Sequence, residues 1–391
     1  MSTDLTAEQR ALRDRIHAFA AKELGHDVER DDAEGRFPSE DWDRCADFGV
    51  LGWPVPTRYG GLGLDPLSTI VALEALRYAC RDNGLVFAIN NHLWGCVVYL
   101  LQHGTEEQRE RFLPALARGE LIGAHALSEP GAGSDILAME TTARRDGDGY
   151  LLSGTKWFVS NAPVADLFVV FARTSGDLGE QAGISAFLVP ADLPGVNRGR
   201  EFTKMGLRTT PMGAVELDGC RVSAANLIGR EGAGYAVFTS TIEWERSFMF
   251  AAHVGAMERI LEASVAHATG RRQFGHTIGS FQAVGHQIAD MRIRLELARL
   301  ILHHVGRLKR DGRLALLEAT IAKVFISESL VATARDAVEI HGARGYLADA
   351  GIERELRDAL GGPIYAGTSA VQRGVLAELL GLRGCLSGGR S

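Results

Sequence analysis

The chain opens on a helical rhythm. Thr6, with Gln9 three residues later, reads as a capping box and predicts a helix running to about Leu24. Apolar positions recur at helical spacing in Asp41–Phe48, Leu67–Ala79, Leu85–His103 and Glu106–Arg118, and the Pro/Gly-rich run Pro54–Gly63 reverses the chain between them. From about Leu121 to Arg230 the period shortens to two. The apolar run Leu121–Leu127 and the segments Glu140–Arg145, Tyr150–Gly154, Leu167–Ala172, Ile184–Val189 and Ala214–Leu217 predict strands, with Asp146-Gly147-Asp148-Gly149 as a hairpin turn. Helix returns near Gly232 and lasts almost to Gly381; Ile288, Met291, Leu295, Ala298 and Ile301 form one apolar stripe. The predicted class is α+β: a helical domain over residues 1–120, a small β barrel or sandwich over 121–231, and a helical bundle over 232–391 whose tail, Ser387–Ser391, is expected to fray.

With 391 residues, 46% of them hydrophobic, the chain can bury a large core and is long enough for more than one unit. A net charge of −7 gives no support for a nucleic-acid surface. Cys45, Cys80, Cys96, Cys220 and Cys385 are odd in number and lack a CxxC spacing, so no disulfide framework and no metal site are expected, and a reducing compartment fits. Met1–Gln9 lacks the layout of a secretory signal, and no uninterrupted apolar run approaches the roughly 20 residues of a membrane span. These features predict a cytoplasmic chain without a membrane partner.

Candidate chemistry begins at Ala126-Leu127-Ser128-Glu129-Pro130-Gly131-Ala132-Gly133-Ser134-Asp135, directly after a strand. Glycines there let a backbone approach a ligand, and free amides with two hydroxyls supply donors, so the stretch reads as a cradle. A second signal lies where helix resumes. Ile242, Glu245, Met249, Ala252 and Ala256 follow i, i+3, i+7, i+10 and i+14, which places Glu245 on the inward stripe. A carboxylate there is either paired with a buried arginine or is a general base whose pKa burial has raised. Glu243 points to another side and is expected to be solvated or paired.

The decapeptide resembles the flavin-contacting signature of the acyl-CoA dehydrogenase family, and further segments resemble that family in order from about Thr6 to Gly381. The resemblance implies a C-terminal four-helix bundle and FAD as cofactor. It places His125, Leu127, Ser128, Gly133 and Ser134 near the flavin, Ser134 also meeting the acyl carrier arm. Gly154-Thr155-Lys156-Trp157-Phe158-Val159-Ser160 is similar to the segment whose aromatic residue covers the flavin, here Phe158, and whose hydroxyl bonds it, here Ser160; the family more often has Trp at the first position, and Trp157 sits one place earlier. Arg271, Gln273, Phe274 and Gln282 match the segment that reaches the cofactor of a neighbouring subunit, implying a homotetramer or homodimer. Glu339, Gly342 and Ala343 match the dinucleotide-contacting turn, with Glu and Ala departing from the usual Gln and Gly, and Thr368 completes the adenine side.

The same resemblance bears on mechanism. Most members carry a catalytic glutamate within an Ile-Tyr-Glu-Gly-Thr-Ser run; here the run is Ile364-Tyr365-Ala366-Gly367-Thr368-Ser369. A minority carry it directly before an arginine on the helix, which is Glu245. The resemblance therefore implies Glu245 as base, Arg246 beside the phosphopantetheine arm unless it forms a helix-surface salt bridge, and the main chain at Ala366 and Gly367 near the thioester carbonyl. Trp244-Glu245-Arg246-Ser247 and Asn161-Ala162-Pro163-Val164-Ala165-Asp166 are similar to a subgroup acting on carrier-protein thioesters in antibiotic and polyketide pathways. The implied activity is dehydrogenation of an acyl thioester on a carrier protein or CoA, electrons leaving to an electron-transfer flavoprotein or oxygen. Alternatives are an acyl-CoA dehydrogenase of short or branched-chain catabolism, a flavin-dependent monooxygenase of the same fold, and a binding protein that has lost catalysis.

Overall fold

Helix α1 (Ala7–Glu23) starts as its sequence requires: Thr6 Oγ1 accepts from the Gln9 amide at 3.2 Å, and Gln9 Oε1 accepts from the Thr6 amide at 3.1 Å. In the computed structural model, which describes residues 5–382, it is followed by α2 (Val28–Glu34), α3 (Ser39–Phe48), α4 (Pro66–Ala79), α5 (Asn83–His92), α6 (Val98–His103) and α7 (Glu106–Ala117). α2 was not anticipated, because its sequence, VERDDAE, carries no apolar stripe; long-range pairs such as Arg357 Nη2 to Asp32 Oδ2 at 2.6 Å anchor it instead. Between α5 and α6 the segment Leu93–Val97 is a π-helical turn. Although Asn90, Asn91 and His92 interrupt its apolar run, Asn83–His103 is long enough and apolar enough on average to cross a bilayer by composition. Its most apolar window is 89% buried inside the protein, which makes it a core helix.

The middle of the chain is one mixed sheet of β1 (Gly123–Ala126), β2 (Thr142–Asp146), β3 (Gly149–Ser160), β4 (Leu167–Arg173), β5 (Ile184–Pro190), β6 (Val196–Glu201), β7 (Met212–Ser223) and β8 (Leu227–Ile228). Strand order is β6-β7-β3-β2-β4-β5-β8, with β1 parallel beside β4. The predicted hairpin is present: Asp146 pairs with Gly149, and Gly147 takes the positive φ of 57° that the tight turn needs. Strand β6 was missed, since an exposed edge strand reading VNRGRE shows no alternation. β4 is buried on both faces. Its Phe168, Val170 and Ala172 join Tyr150, Leu152, Phe187 and Val215 in a core that the sheet wraps around, while Leu167, Val169 and Phe171 face the helices.

The C-terminal part is built on α8 (Gly234–Gly270), α9 (Gln282–Arg310) and α10 (Leu316–His341), with the hairpin β9 (Arg272–Gln273) and β10 (His276–Thr277) between α8 and α9. Short α11 (Ala343–Tyr346) and α12 (Ile352–Ala359) lead to α13 (Ser369–Leu379), which packs on α10 as the fourth member of the bundle. Met291, Leu295 and Ala298 of the predicted stripe are fully buried, and Ile288 and Ile301 are partly so. Cys45, Cys80, Cys96 and Cys220 are buried free thiols, and burial pushes Cys80 and Cys96 up to about 12. Cys385 and the Ser387–Ser391 tail lie outside the described residues.

α8 joins the bundle to the first helices by crossing α4 at a glycine. A Cβ on Gly255 would lie 2.1 Å from the Glu74 carbonyl oxygen, so the two backbones meet only because that side chain is absent. Gly255→Ala is expected to lower stability by about 2 kcal/mol or more through overpacking, read as a reduced midpoint in chemical denaturation. Gly270→Ala, where a Cβ meets nothing within 4 Å, is the matched control and leaves that midpoint near wild type.

Candidate active site

The cradle sits at the end of β1, fastened to β3 by main-chain and side-chain bonds. Trp157 N donates to Ser128 O at 2.8 Å, and Glu129 and Ala132 bond each other across a tight turn. Beneath it lies an ion pair that the sequence did not reveal. Lys156 Nζ, wholly buried, is 2.7 Å from Glu129 Oε1 and donates to Leu127 O at 3.1 Å, while Glu129 accepts from the amides of Glu140 at 2.6 Å and Thr141 at 3.0 Å. Burial lowers Lys156 to about 8 against the pull of Glu129. This brace fixes the backbone of Leu127, Ser128 and Glu129 from below and leaves the far rim open: a Cβ on Gly131 or Gly133 would meet nothing within 4 Å, and Ser134 is exposed. His125, on β1, is lowered to about 4 by burial and then by Lys156, so it is neutral; Tyr99 Oη lies 3.4 Å from its Nε2.

Phe158 stands out by geometry. Strict alternation from buried Lys156 would turn it inward, yet a register break between Lys156 and Val159 buries Val159 instead and leaves Phe158 57% exposed at a φ of 57°. Its ring stands with Trp157 and Phe202, at centroid distances of 5.7 and 5.5 Å. A strained bulge that aims an aromatic ring outward next to an open cradle is what a planar cofactor needs. Ser160 follows at the end of β3, partly buried and opposite Met212.

On α8, Ile242, Met249, Ala252 and Ala256 are buried, and the stripe brings Glu245 inward with them. Glu245 Oε2 is the one carboxylate oxygen among the described residues that is buried without a hydrogen-bond partner. It forms no ion pair among the described residues. Burial raises its pKa to about 7 despite the opposing field of Arg246. Arg246 is 8% exposed with its Nε unpartnered, so it is not part of a helix-surface salt bridge. Glu243 is buried and paired with Lys309 rather than solvated.

The turn before α13 meets this stretch. A Cβ on Gly367 would lie 2.4 Å from Gln372 Nε2 and 3.9 Å from the Arg246 guanidinium. Ala366 holds a φ of 54°, unusual for a residue with a Cβ, and its amide makes no hydrogen bond among the described residues. Gln372 Nε2 donates to Ala366 O at 3.4 Å, and Tyr365 Oη bonds His253 Nε2 at 2.8 Å. Thr368 is spent as the N-cap of α13, its Oγ1 accepting from the Val371 amide at 3.2 Å. Ser369 Oγ and Gln372 Oε1 are buried without partners. Unsatisfied polar atoms on Glu245, Arg246 and Gln372, together with the open cradle and the outward ring, match the donors and acceptors that a flavin and an acyl chain would bring.

The remaining predicted residues lie elsewhere. Arg271, Gln273, Phe274 and Gln282 are on or beside the exposed β9–β10 hairpin, with Phe274 91% exposed at a φ of 51°. Glu339, Gly342 and Ala343 lie at the end of α10, Glu339 Oε2 accepting from Gln287 Nε2 at 2.8 Å. His267 and His341 stack at 4.3 Å and bring the two segments side by side. Among the described residues no hydrogen bond or ion pair joins either segment to the cradle.

The Glu245 environment sets a sign for stability. The native state holds this proton between the unfolded value near 4.5 and about 7, so the stability linked to it is full below about 4.5 and is lost as pH rises through 7. Glu245→Gln is therefore expected to raise the unfolding free energy at pH 8, read by chemical denaturation, by on the order of 1–3 kcal/mol, a gain that fades toward pH 4.5. Lys156→Met, which leaves Glu129 charged and unpaired beneath the cradle, is expected to cost about 3 kcal/mol or more in the same assay.

Comparison with known proteins identifies the family. The N-terminal, middle and C-terminal domain descriptions of acyl-CoA dehydrogenase match residues 6–120, 124–220 and 232–381. The L-prolyl-[peptidyl-carrier protein] dehydrogenase of Pseudomonas fluorescens is 43% identical over 347 residues, 88% of this chain and 91% of that protein. The crystal structure of the prolyl acyl carrier protein oxidase AnaB superposes with a TM-score of 0.95 at 46% identity, covering 97% of this chain and all of that one. The FAD complex of PigA gives a TM-score of 0.95 at 35% identity, covering 98% and 100%. Domain matches across nearly the whole length and relatives well above 30% identity lead to one statement: the chain belongs to the acyl-CoA dehydrogenase family.

Proposed function

We propose that this chain dehydrogenates an acyl thioester with FAD, and that Glu245 takes the α-proton. The observation that carries the reading is the buried, unpartnered Oε2 of Glu245, in a setting that raises its pKa to about 7. A base poised there is half ionised near neutral pH and needs no partner to be displaced before it accepts a proton. FAD, when bound, supplies the acceptor for the β-hydride. Ser128, Gly133, Ser134, Phe158 and Ser160, with His125 and Leu127 behind them, would hold its flavin. Arg271, Gln273, Phe274, Gln282, Glu339, Gly342 and Ala343 of a second copy, with Thr368, would hold its dinucleotide end in a homodimer or homotetramer. The free Ala366 amide would donate to the thioester carbonyl as negative charge grows on it, a contribution commonly worth several kcal/mol. Arg246 and Gly367 would line the path of the carrier arm.

Identity of 43–46% to proteins named for prolyl carrier substrates supports a small acyl group, prolyl in the first instance, delivered on a carrier protein for secondary metabolism. An electron-transfer flavoprotein or oxygen would receive the electrons, in the cytoplasm. Mixing the FAD-loaded protein with a prolyl-carrier thioester without oxygen is expected to bleach the flavin absorbance, and Glu245→Gln to slow this by ~10²–10⁴-fold. The bleaching rate should rise with pH through about 7 and level off as Glu245 ionises. A matched CoA thioester should show at least ~10-fold lower kcat/KM; equal turnover of the two would overturn the carrier assignment while leaving the dehydrogenation intact.

A further inference from the structure

Two residues before Glu245 on α8, Glu243 is 6% exposed. Lys309 of α9, its side chain 8% exposed, donates Nζ to Glu243 Oε2, and the Ala315 amide donates to the same oxygen at 3.3 Å. Lys309 Nζ also lies 5.2 Å from the centroid of the Trp244 ring. Arg246, three residues after Glu243, shares its side of the helix and feels the fields of Glu243 and Glu245, yet pairs with neither. From α9 across α8 the charges therefore alternate: Lys309 positive, Glu243 negative, Arg246 positive, Glu245 negative. The other titratable groups turned toward this row are Tyr99 of α6, Tyr235 of α8, Lys323 of α10 and Tyr365 before α13. In so dry a setting neighbouring charges act on each other with little screening.

We propose that Lys309 and Glu243 are a positioning pair for the base: Lys309 neutralises Glu243 so that it does not offset the fixed charge of Arg246 at Glu245, and the pair thereby sets the pH at which Glu245 becomes able to take a proton. The inference rests on Glu245 being that base. With the pair intact, Glu243 is neutralised from the α9 side and Arg246 remains free to favour the Glu245 carboxylate. Without Lys309, the full charge of Glu243 falls on Arg246 and cancels that help, so Glu245 ionises at higher pH. Without the charge of Glu243, Lys309 and Arg246 are both uncompensated, and Glu245 ionises at lower pH.

The test is the pH profile of anaerobic flavin bleaching by prolyl-carrier thioester in the FAD-loaded wild type, Glu243→Gln, Lys309→Met and the double variant. The midpoint is expected to fall by about half a unit or more in Glu243→Gln and rise by a similar amount in Lys309→Met. In the double variant it returns to within ~0.3 unit of wild type, because the two removals offset each other. Lys309→Arg keeps the charge and the wild-type midpoint. Coincident midpoints, or shifts of the same sign in both single variants, overturn the inference. Should Lys309→Met fail to retain FAD, Glu243→Gln with the double variant decides: a fall in the first that the second does not reverse overturns it. A wild-type profile without any midpoint that Glu245→Gln removes overturns the base assignment instead, which keeps the two failures apart.

Discussion

The candidate site depends on one desolvated carboxylate. Glu245 is carried inward by the same apolar stripe that packs α8 into the molecule, and nothing is provided to neutralise it directly. A charge in such a place is costly, and the group answers by holding its proton to about pH 7. Most other buried acids are paired with cations, and Asp82 and Asp358 are held by hydrogen bonds from neutral groups instead. Glu355 is held by Arg77 and Arg259, Glu74 by Arg299 and His303, and Glu129 by Lys156. Among the described residues Glu245 Oε2 is the buried carboxylate oxygen with neither kind of partner, and its neighbour Arg246 approaches the strained turn at Gly367.

Around this carboxylate, three parts of the chain are fixed by different means. The cradle is pinned by a buried ion pair and two amides, the turn before α13 by Gln372 and by the Ser369 amide donating to Pro363 O at 2.8 Å, and α8 by helix packing against α4 and α10. None of these supports requires a flexible loop to close. The arrangement is thus largely set by the fold itself, in keeping with the need of such chemistry for groups held in place beforehand.

Much of the architecture was legible in the residues. The Thr6 and Gln9 box, the Asp146–Gly149 hairpin and the stripe through Ile242 and Ala256 are local signals, and local signals are read correctly when neighbours in sequence are also neighbours in space. What escaped depends on distance or on irregularity. Lys156 and Glu129 are 27 residues apart, so no periodicity marks their pairing. The bulge that turns Phe158 outward violates the very alternation by which strands are found. α2 and β6 are polar segments stabilised by what packs or pairs beside them, and α5 with α6 has the composition of a membrane span although the protein itself is its apolar surroundings. The adjacency of Arg246 to Gly367 joins two motifs 121 positions apart, which only the folded chain brings together.

The left-handed backbone at Ala366 owes nothing to its own methyl group. The carbonyl is held by Gln372, the preceding Tyr365 by His253, and Ser369 at the end of the turn by the Pro363 carbonyl. A side chain can therefore be exchanged at this place while the amide keeps its direction. In the proposed mechanism, proton removal and carbonyl polarisation are separable inheritances: a lineage can relocate the first to another helix and keep the second where it was.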